Sequence, residues 1–116
     1  MNPKNKYLEK ATKLLEQTRF NLATTHCLEL KNVFGAVGGY VNGHIFISCG
    51  KFGVALKLPR KIIEELFKER RVRRLKYFSK GHIKKEYAVI PKWIIEDKKQ
   101  FKKLVDESIK YASSQE

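Results

Sequence analysis

The sequence predicts an α+β fold, a two-layer sandwich in which N- and C-terminal helices pack on one face of an antiparallel sheet. Three observations predict this arrangement. Apolar residues recur with helical spacing near both termini, whereas they alternate with polar residues across the middle of the chain. A tight Asn-Gly turn interrupts the alternating stretch. A chain of 116 residues is long enough for one hydrophobic core, so we expect a single domain over residues 1–116.

The first predicted element is a helix from about Pro3 to Thr18, with Asn2 as its cap. Its apolar stripe consists of Tyr7, Leu8, Ala11, Leu14 and Leu15. The full predicted order is α-β-β-β-α-β-β-α-α, with a sheet of about five strands.

Two hairpin turns are predicted between Leu28 and Leu58. Asn42-Gly43 fits a type I′ turn, which needs positive φ at both positions, and Gly50-Lys51 is a weaker candidate. If both turns have two residues, the expected register pairs Tyr40 with Ile45, Gly39 with Phe46, Ile47 with Val54, and Ile45 with Leu56.

This register sorts the strand residues into two faces, because directly opposed residues share a face. The predicted core face contains Tyr40, Ile45, Ile47, Cys49, Phe52, Val54, Leu56 and Leu58. The other face, expected to be at least half in water, contains Val41, His44, Phe46, Ser48, Ala55 and Lys57.

The second half of the chain is predicted to contain a helix, two strands and two more helical segments. The expected bounds of the first three are about Arg60–Arg70, Arg73–Phe78 and Lys85–Ile90, with a Lys80-Gly81 turn between the strands. Pro91 then precedes a short helical turn. Asp97, with Gln100 three residues later, predicts a capping box for the last helix. The apolar stripe of that helix is Phe101, Leu104, Val105, Ile109 and Ala112.

Residues 34–46 read Phe-Gly-Ala-Val-Gly-Gly-Tyr-Val-Asn-Gly-His-Ile-Phe. Their informative positions are Phe34, Gly35, Gly38, Tyr40, Asn42, Gly43 and Phe46. Together with residues 55–59, residues 85–91 and Glu96-Asp97, they resemble the N-terminal domain of the TfoX (Sxy) family in order and spacing. Ala36 replaces the usual second glycine of that pattern, and residues 68–76 are more basic than the pattern leads one to expect.

The resemblance, which extends from about Tyr7 to Ala112, implies a stand-alone TfoX N-terminal-like domain. It also implies a regulatory or binding module rather than an enzyme. Full-length members of the family regulate natural competence and carry a second, helical domain, which would begin where this chain ends. The family has no agreed catalytic residues, so the resemblance assigns none here.

The strongest functional signal is the placement of positive charge. Residues 51–85 contain 13 Lys and Arg and 3 Glu, a net charge of +10 out of +13 for the whole chain. The candidate polyanion-binding residues are Lys68, Arg70, Arg71, Arg73, Arg74, Lys76, Lys80, Lys84 and Lys85. Arginine favours bidentate contact with phosphate, so the expected partner is nucleic acid or an acidic protein. A solvated basic face without any partner is the alternative left open.

Catalytic, metal and cofactor sites are not expected. His26, His44 and His82 are scattered, and Cys27 and Cys49 lack the spacing of zinc ligands. Cys49 falls on the predicted core face, which indicates an inert buried thiol. We therefore expect a cytoplasmic protein with reduced thiols, without a membrane span and without a small-molecule substrate.

A second functional reading is a protein-interaction or dimeric adaptor module without nucleic-acid binding. Val41, Phe46 and Ala55 on the wetter sheet face would supply its apolar contact surface. A homodimer formed through the sheet or through an edge strand is the expected form of such an adaptor.

Overall fold

The computed structural model describes residues 4–18, 28–33, 35–69, 73–76 and 83–114. Its elements are α1 (Lys4–Thr18), β1 (Leu28–Val33), β2 (Ala36–Val41), β3 (His44–Gly50), β4 (Gly53–Lys57), α2 (Arg60–Glu69), β5 (Arg73–Lys76), β6 (Ile83–Ile90), α3 (Lys92–Ile95) and α4 (Lys98–Ser113). The predicted α+β fold is confirmed. The described sheet has six strands rather than about five, because Leu28–Val33 forms a strand of its own. The predicted Asn2 cap and Lys80-Gly81 turn lie outside the described residues.

The strand order across the sheet is β1-β2-β3-β4-β6-β5, and all neighbouring strands are antiparallel. Helix α1 packs against β2 and β3, α4 against β3 and β4, and α2 against β6. The helices therefore lie over the sheet in the order α1, α4, α2. Strands β1 and β5 form its two edges.

The helices pack on the sheet through the apolar stripes that the sequence predicts. In α1, Ala11 and Leu15 are buried, whereas Leu8 is 39% exposed, so the stripe is narrower than predicted. In α4 the whole predicted stripe is buried. Half of the predicted capping box of α4 is present, since Asp97 Oδ1 accepts a hydrogen bond from the Gln100 amide at 3.3 Å. The Asp97 amide donates to the Ile94 carbonyl oxygen at 3.0 Å and not to the Gln100 side chain.

The Asn-Gly turn is confirmed, and the second turn lies one residue later than predicted. Asn42 and Gly43 have φ values of 51° and 84°, as a type I′ turn requires. In the second hairpin Gly50 pairs with Gly53, so the turn residues are Lys51-Phe52. Ile47 consequently pairs with Leu56 and not with Val54. A register shift of two residues preserves the faces of β4.

A β-bulge in β3 overturns part of the predicted register. Tyr40 pairs with Ile45 as predicted, but Gly39 pairs with Ile47, so Phe46 has no counterpart on β2. The extra residue reverses the alternation of faces along β3. As a result Phe46 and Ile47 both lie in the main core, although they are consecutive, while Ile45 packs on the opposite face.

The two faces are therefore composed differently from the prediction. Five predicted core residues are buried in the main core: Ile47, Cys49, Val54, Leu56 and Leu58. Val41 and Phe46, predicted on the wetter face, also belong to the main core. The bulge and the displaced turn place Ile45 and Phe52 against a second cluster formed by Ala55, Tyr87 and Val89. Tyr40, also predicted in the core, is half-buried and its ring lies 5.3 Å from Lys31 Nζ.

The second face is also drier than predicted. Ser48 and Ala55 were expected to be at least partly in water, yet both are 0% exposed. The neighbouring large side chains account for this, because Ser48 and Ala55 are small and oppose each other across β3 and β4.

A buried serine from α4 completes the bulge. Ser108 Oγ lies 2.6 Å from the carbonyl oxygen of Phe46 and 2.7 Å from that of Lys57. These carbonyls sit where the β3–β4 ladder ends, just beyond the Ile47–Leu56 pair. A buried carbonyl without a partner is costly, and the Ser108 hydroxyl supplies a donor at this point. Its single proton serves one carbonyl at a time.

We expect Ser108→Ala to destabilise the fold by about 1–3 kcal/mol, because it leaves buried carbonyl groups without a donor. Urea unfolding followed by circular dichroism measures this loss. The control is Ser114→Ala, which removes an exposed serine hydroxyl at the end of the same helix. Equal losses in the two variants would show that the bulge does not depend on Ser108.

We expect Gly39→Ala to destabilise the fold by about 1–3 kcal/mol, because the new Cβ overpacks the bulge. That Cβ would lie 2.6 Å from Ile47 Cγ2, a methyl group held close to the backbone of β3. The matched control is Gly38→Ala, whose Cβ meets the movable ends of Ile45 and Tyr40 at 3.0 Å and 3.2 Å. A smaller loss is expected there by urea unfolding, and the reverse order would contradict the packing argument.

Candidate nucleic-acid interface

Five of the candidate cations lie in β5 and β6, at one edge of the sheet. Arg73, Arg74 and Lys76 lie in the edge strand β5, and Lys84 and Lys85 lie in its neighbour β6. Their backbones are held by an antiparallel ladder in which Leu75 pairs with Lys84 and Lys76 with Ile83. The strand pairing thus gathers five of the predicted cations into one hairpin. The other strand-flanking candidates, Arg70, Arg71 and Lys80, lie outside the described residues.

The register does not place all these positions on one face. Arg73 is opposite Val89, which belongs to the second apolar cluster, and Arg74 is opposite Ala88, which belongs to the main core. Opposed positions share a face, so positions 73 and 74 belong to different faces of the sheet. The basic positions therefore follow the edge of the sheet instead of covering one flat surface.

Lys68 has a local explanation that the strand positions lack. It is exposed in the last turn of α2, where the helix dipole favours a cation. The nearby Glu64 accepts a hydrogen bond from Arg60 Nε at 3.0 Å. The dipole does not account for the cations of β5 and β6, since those residues lie in strands.

Two grooves lie between helices on the helical face of the sheet. One, of about 470 Å³, separates α2 from α4 and carries Lys61, Glu65, Lys103 and Glu107. The other, of about 550 Å³, separates the end of α1 from the start of α4.

The α1–α4 groove has an apolar floor and a rim that carries Lys98, Lys99 and Lys102. Sequence reasoning missed these lysines, because they lie outside the most basic segment. Their position at the start of a helix, where cations are disfavoured, is the signal that could have identified them.

The chemistry of Cys49 is that of a buried structural residue, as predicted. The side chain is 0% exposed in the main core. Desolvation by burial raises the pKa of the Cys49 thiol from its ordinary 9.0 to about 11, although the nearby Lys10 ammonium acts in the opposite direction. A thiol that remains protonated and enclosed is a poor nucleophile.

Among the described residues, no group of three or more His, Cys, Asp and Glu side chains is placed to hold a metal ion. Cys27, His26 and His82 lie outside these residues, and His44 is half-buried beside the Asn-Gly turn. Within the same described ranges, no helix has the length and apolar character needed to cross a membrane.

The elements described above define a small α+β domain with helices on one face of an antiparallel sheet and a basic hairpin at the sheet edge. The family model of the TfoX N-terminal domain matches residues 21–112 of the sequence. The chain belongs to the TfoX N-terminal domain family. No curated protein shows a match to the sequence. Membership of this family supports a regulatory or binding module in general.

We expect Cys49 to resist alkylation near neutral pH in a Cys27→Ser background, because the reactive thiolate is scarce and enclosed. Mass spectrometry after iodoacetamide treatment measures the modification. Unfolding in urea should make the same thiol reactive. Rapid labelling of the native protein would contradict the burial of Cys49.

The same pKa shift gives stability a defined pH dependence. Between about pH 9 and about 11 the native thiol keeps its proton, whereas the unfolded thiol loses it. The free energy of unfolding therefore falls as the pH rises through this interval, by at most about 1.4 kcal/mol per pH unit from this group. Comparison with Cys49→Ala isolates the contribution, since other groups that titrate there are common to both proteins.

Proposed function

We propose that this domain is a non-catalytic regulatory module that binds the phosphate backbone of nucleic acid through the β5–β6 hairpin. The observation that carries the proposal is the gathering of Arg73, Arg74, Lys76, Lys84 and Lys85 into two paired strands at the sheet edge. Residues 51–85, which also include β4 and α2, account for +10 of the net charge of +13. Family membership supports the broader part of this proposal, a regulatory or binding role.

The hairpin suits a backbone contact better than a base contact. A two-stranded edge presents cations along its length, and an extended row of cations complements a row of phosphates. Arginine side chains add the capacity for bidentate phosphate contacts. Because the basic positions belong to both faces of the sheet, the hairpin resembles a charged ridge more than a flat platform for reading bases. Affinity with little sequence preference follows from such an arrangement.

The absence of catalysis is part of the same proposal. It is supported by the raised pKa of the Cys49 thiol and its enclosure in the core, which leave this cysteine unsuited to nucleophilic attack. It is also supported by family membership, which points to regulation or binding.

Charge-removing substitutions in the hairpin test the proposal. We expect the combined change of Arg73, Arg74, Lys76 and Lys84 to Gln to weaken binding of a fluorescein-labelled mixed-sequence DNA duplex by at least about tenfold at low salt. The dependence of log K on log salt should also become shallower, by up to about 0.9 per phosphate contact removed. Fluorescence anisotropy measured over a range of salt concentrations gives both quantities.

The matched control removes four exposed lysines from the helices, by changing Lys6, Lys10, Lys13 and Lys110 to Gln. It makes the same change in net charge but leaves the hairpin intact, so binding should be largely retained. Equal losses in the two variants would mean that only the total charge matters, and no binding by the unaltered protein at low salt would reject the proposal. Binding of polyglutamate that is equally strong and is weakened by the same hairpin changes would assign the hairpin to an acidic protein instead of nucleic acid.

A self-associating adaptor is the second candidate function. The observation that favours it is the second apolar cluster, in which Ile45 and Phe52 are only half-buried. The buried apolar side chains of the described helices all belong to the main core, on the other face of the sheet. Sedimentation analysis over a range of concentrations tests this candidate, because a strict monomer excludes a homodimer through that face.

A further inference from the structure

The groove between α1 and α4 combines an apolar floor with a cationic rim. The floor contains Leu14 and Ile95, which are half-buried, and Phe101, which is 2% exposed. The volume of about 550 Å³ lies in the range of sites that hold ligands or the anchoring side chains of a partner. The groove lies over the β2–β3 half of the sheet, so it is separated from the β5–β6 hairpin by the width of α4 and α2.

The rim carries three exposed lysines, Lys98, Lys99 and Lys102, against one carboxylate, Glu96. Within the described ranges, none of the three lysines takes part in an ion pair. The α2–α4 groove differs, because its Lys61 and Lys103 are balanced by Glu65 and Glu107. The α1–α4 groove is therefore the one with an unbalanced positive charge.

Helix stability does not explain the rim lysines. Lys98 and Lys99 occupy the first turn of α4, which contains no acidic residue. The helix dipole places partial positive charge at this end, so cations there reduce the stability of the helix slightly. A negatively charged occupant would reverse this unfavourable term and would also neutralise the lysines.

We propose that the α1–α4 groove binds an acidic segment of a partner protein. In this complex an aliphatic or aromatic side chain of the segment seats on Leu14 and Ile95, above the buried Phe101, and its flanking carboxylates pair with Lys98, Lys99 and Lys102. An acidic peptide with an apolar side chain can contact the apolar floor and also neutralise the lysines of the rim. Nucleic acid satisfies only the rim, since the one aromatic ring of the floor is buried and offers no stacking surface.

The test uses two short fluorescein-labelled peptides composed of Asp and Glu, one with central leucines and one with serines in their place. The intact protein should bind the leucine peptide more tightly, and Leu14 and Ile95 methyl resonances should shift during the titration. Lys98→Glu combined with Lys102→Glu should weaken binding of the leucine peptide by at least about fivefold, because rim attraction becomes repulsion. Carboxylates are favoured at a helix N-terminus, so this variant should remain folded.

The matched control is Lys103→Glu combined with Lys110→Glu, which changes two exposed lysines of the same helix outside the groove. Binding in the control should fall by much less than in the rim variant. The proposal fails if both double variants lose affinity equally or if the serine peptide binds as tightly as the leucine peptide. Displacement of the peptide from the groove by a DNA duplex would assign the rim to nucleic acid and would also overturn it.

Discussion

The bulge in β3 is the constraint on which the arrangement of the core depends. By inserting Phe46 without a partner on β2, it turns Phe46 and Ile47 toward the helices together. This needs a bare position at Gly39, where any Cβ would collide with Ile47, and a donor for the freed carbonyl, which Ser108 supplies. The bulged residue thus connects the sheet to the helix layer, because its carbonyl group accepts a hydrogen bond from α4, which lies over β3 and β4.

The position of α4 in turn separates the two surfaces that carry charge. On one side of α4 lies the groove shared with α1, with its lysine rim and apolar floor. On the other side lie α2 and, at the sheet edge, the β5–β6 hairpin. The two proposed binding surfaces therefore do not overlap.

Most helices and turns could be predicted because they depend on residues that are close in sequence. The strand register and the two faces of the sheet depend on long-range contacts, and these were predicted less well. The Asn42-Gly43 turn and the Asp97 cap depend on neighbouring residues, and both are present. The carbonyl of the bulged Phe46 accepts a hydrogen bond from Ser108, which lies 62 residues later, so no short-range pattern reveals this contact. A strand without a bulge alternates strictly between its two faces, and on that basis Ile45 was predicted in the core and Phe46 on the opposite face. The basic segment was likewise visible as composition, but only the pairing with β6 shows that positions 73 and 74 belong to opposite faces.

The cationic edge strand also bears on how copies of this chain meet. Strand β5 is one of the two edge strands of the described sheet, and three of its four residues are Arg or Lys. Two such edges brought side by side would set like charges against each other, which opposes intermolecular strand pairing. The cations of β5 therefore disfavour the pairing of free copies of the chain through this side of the sheet.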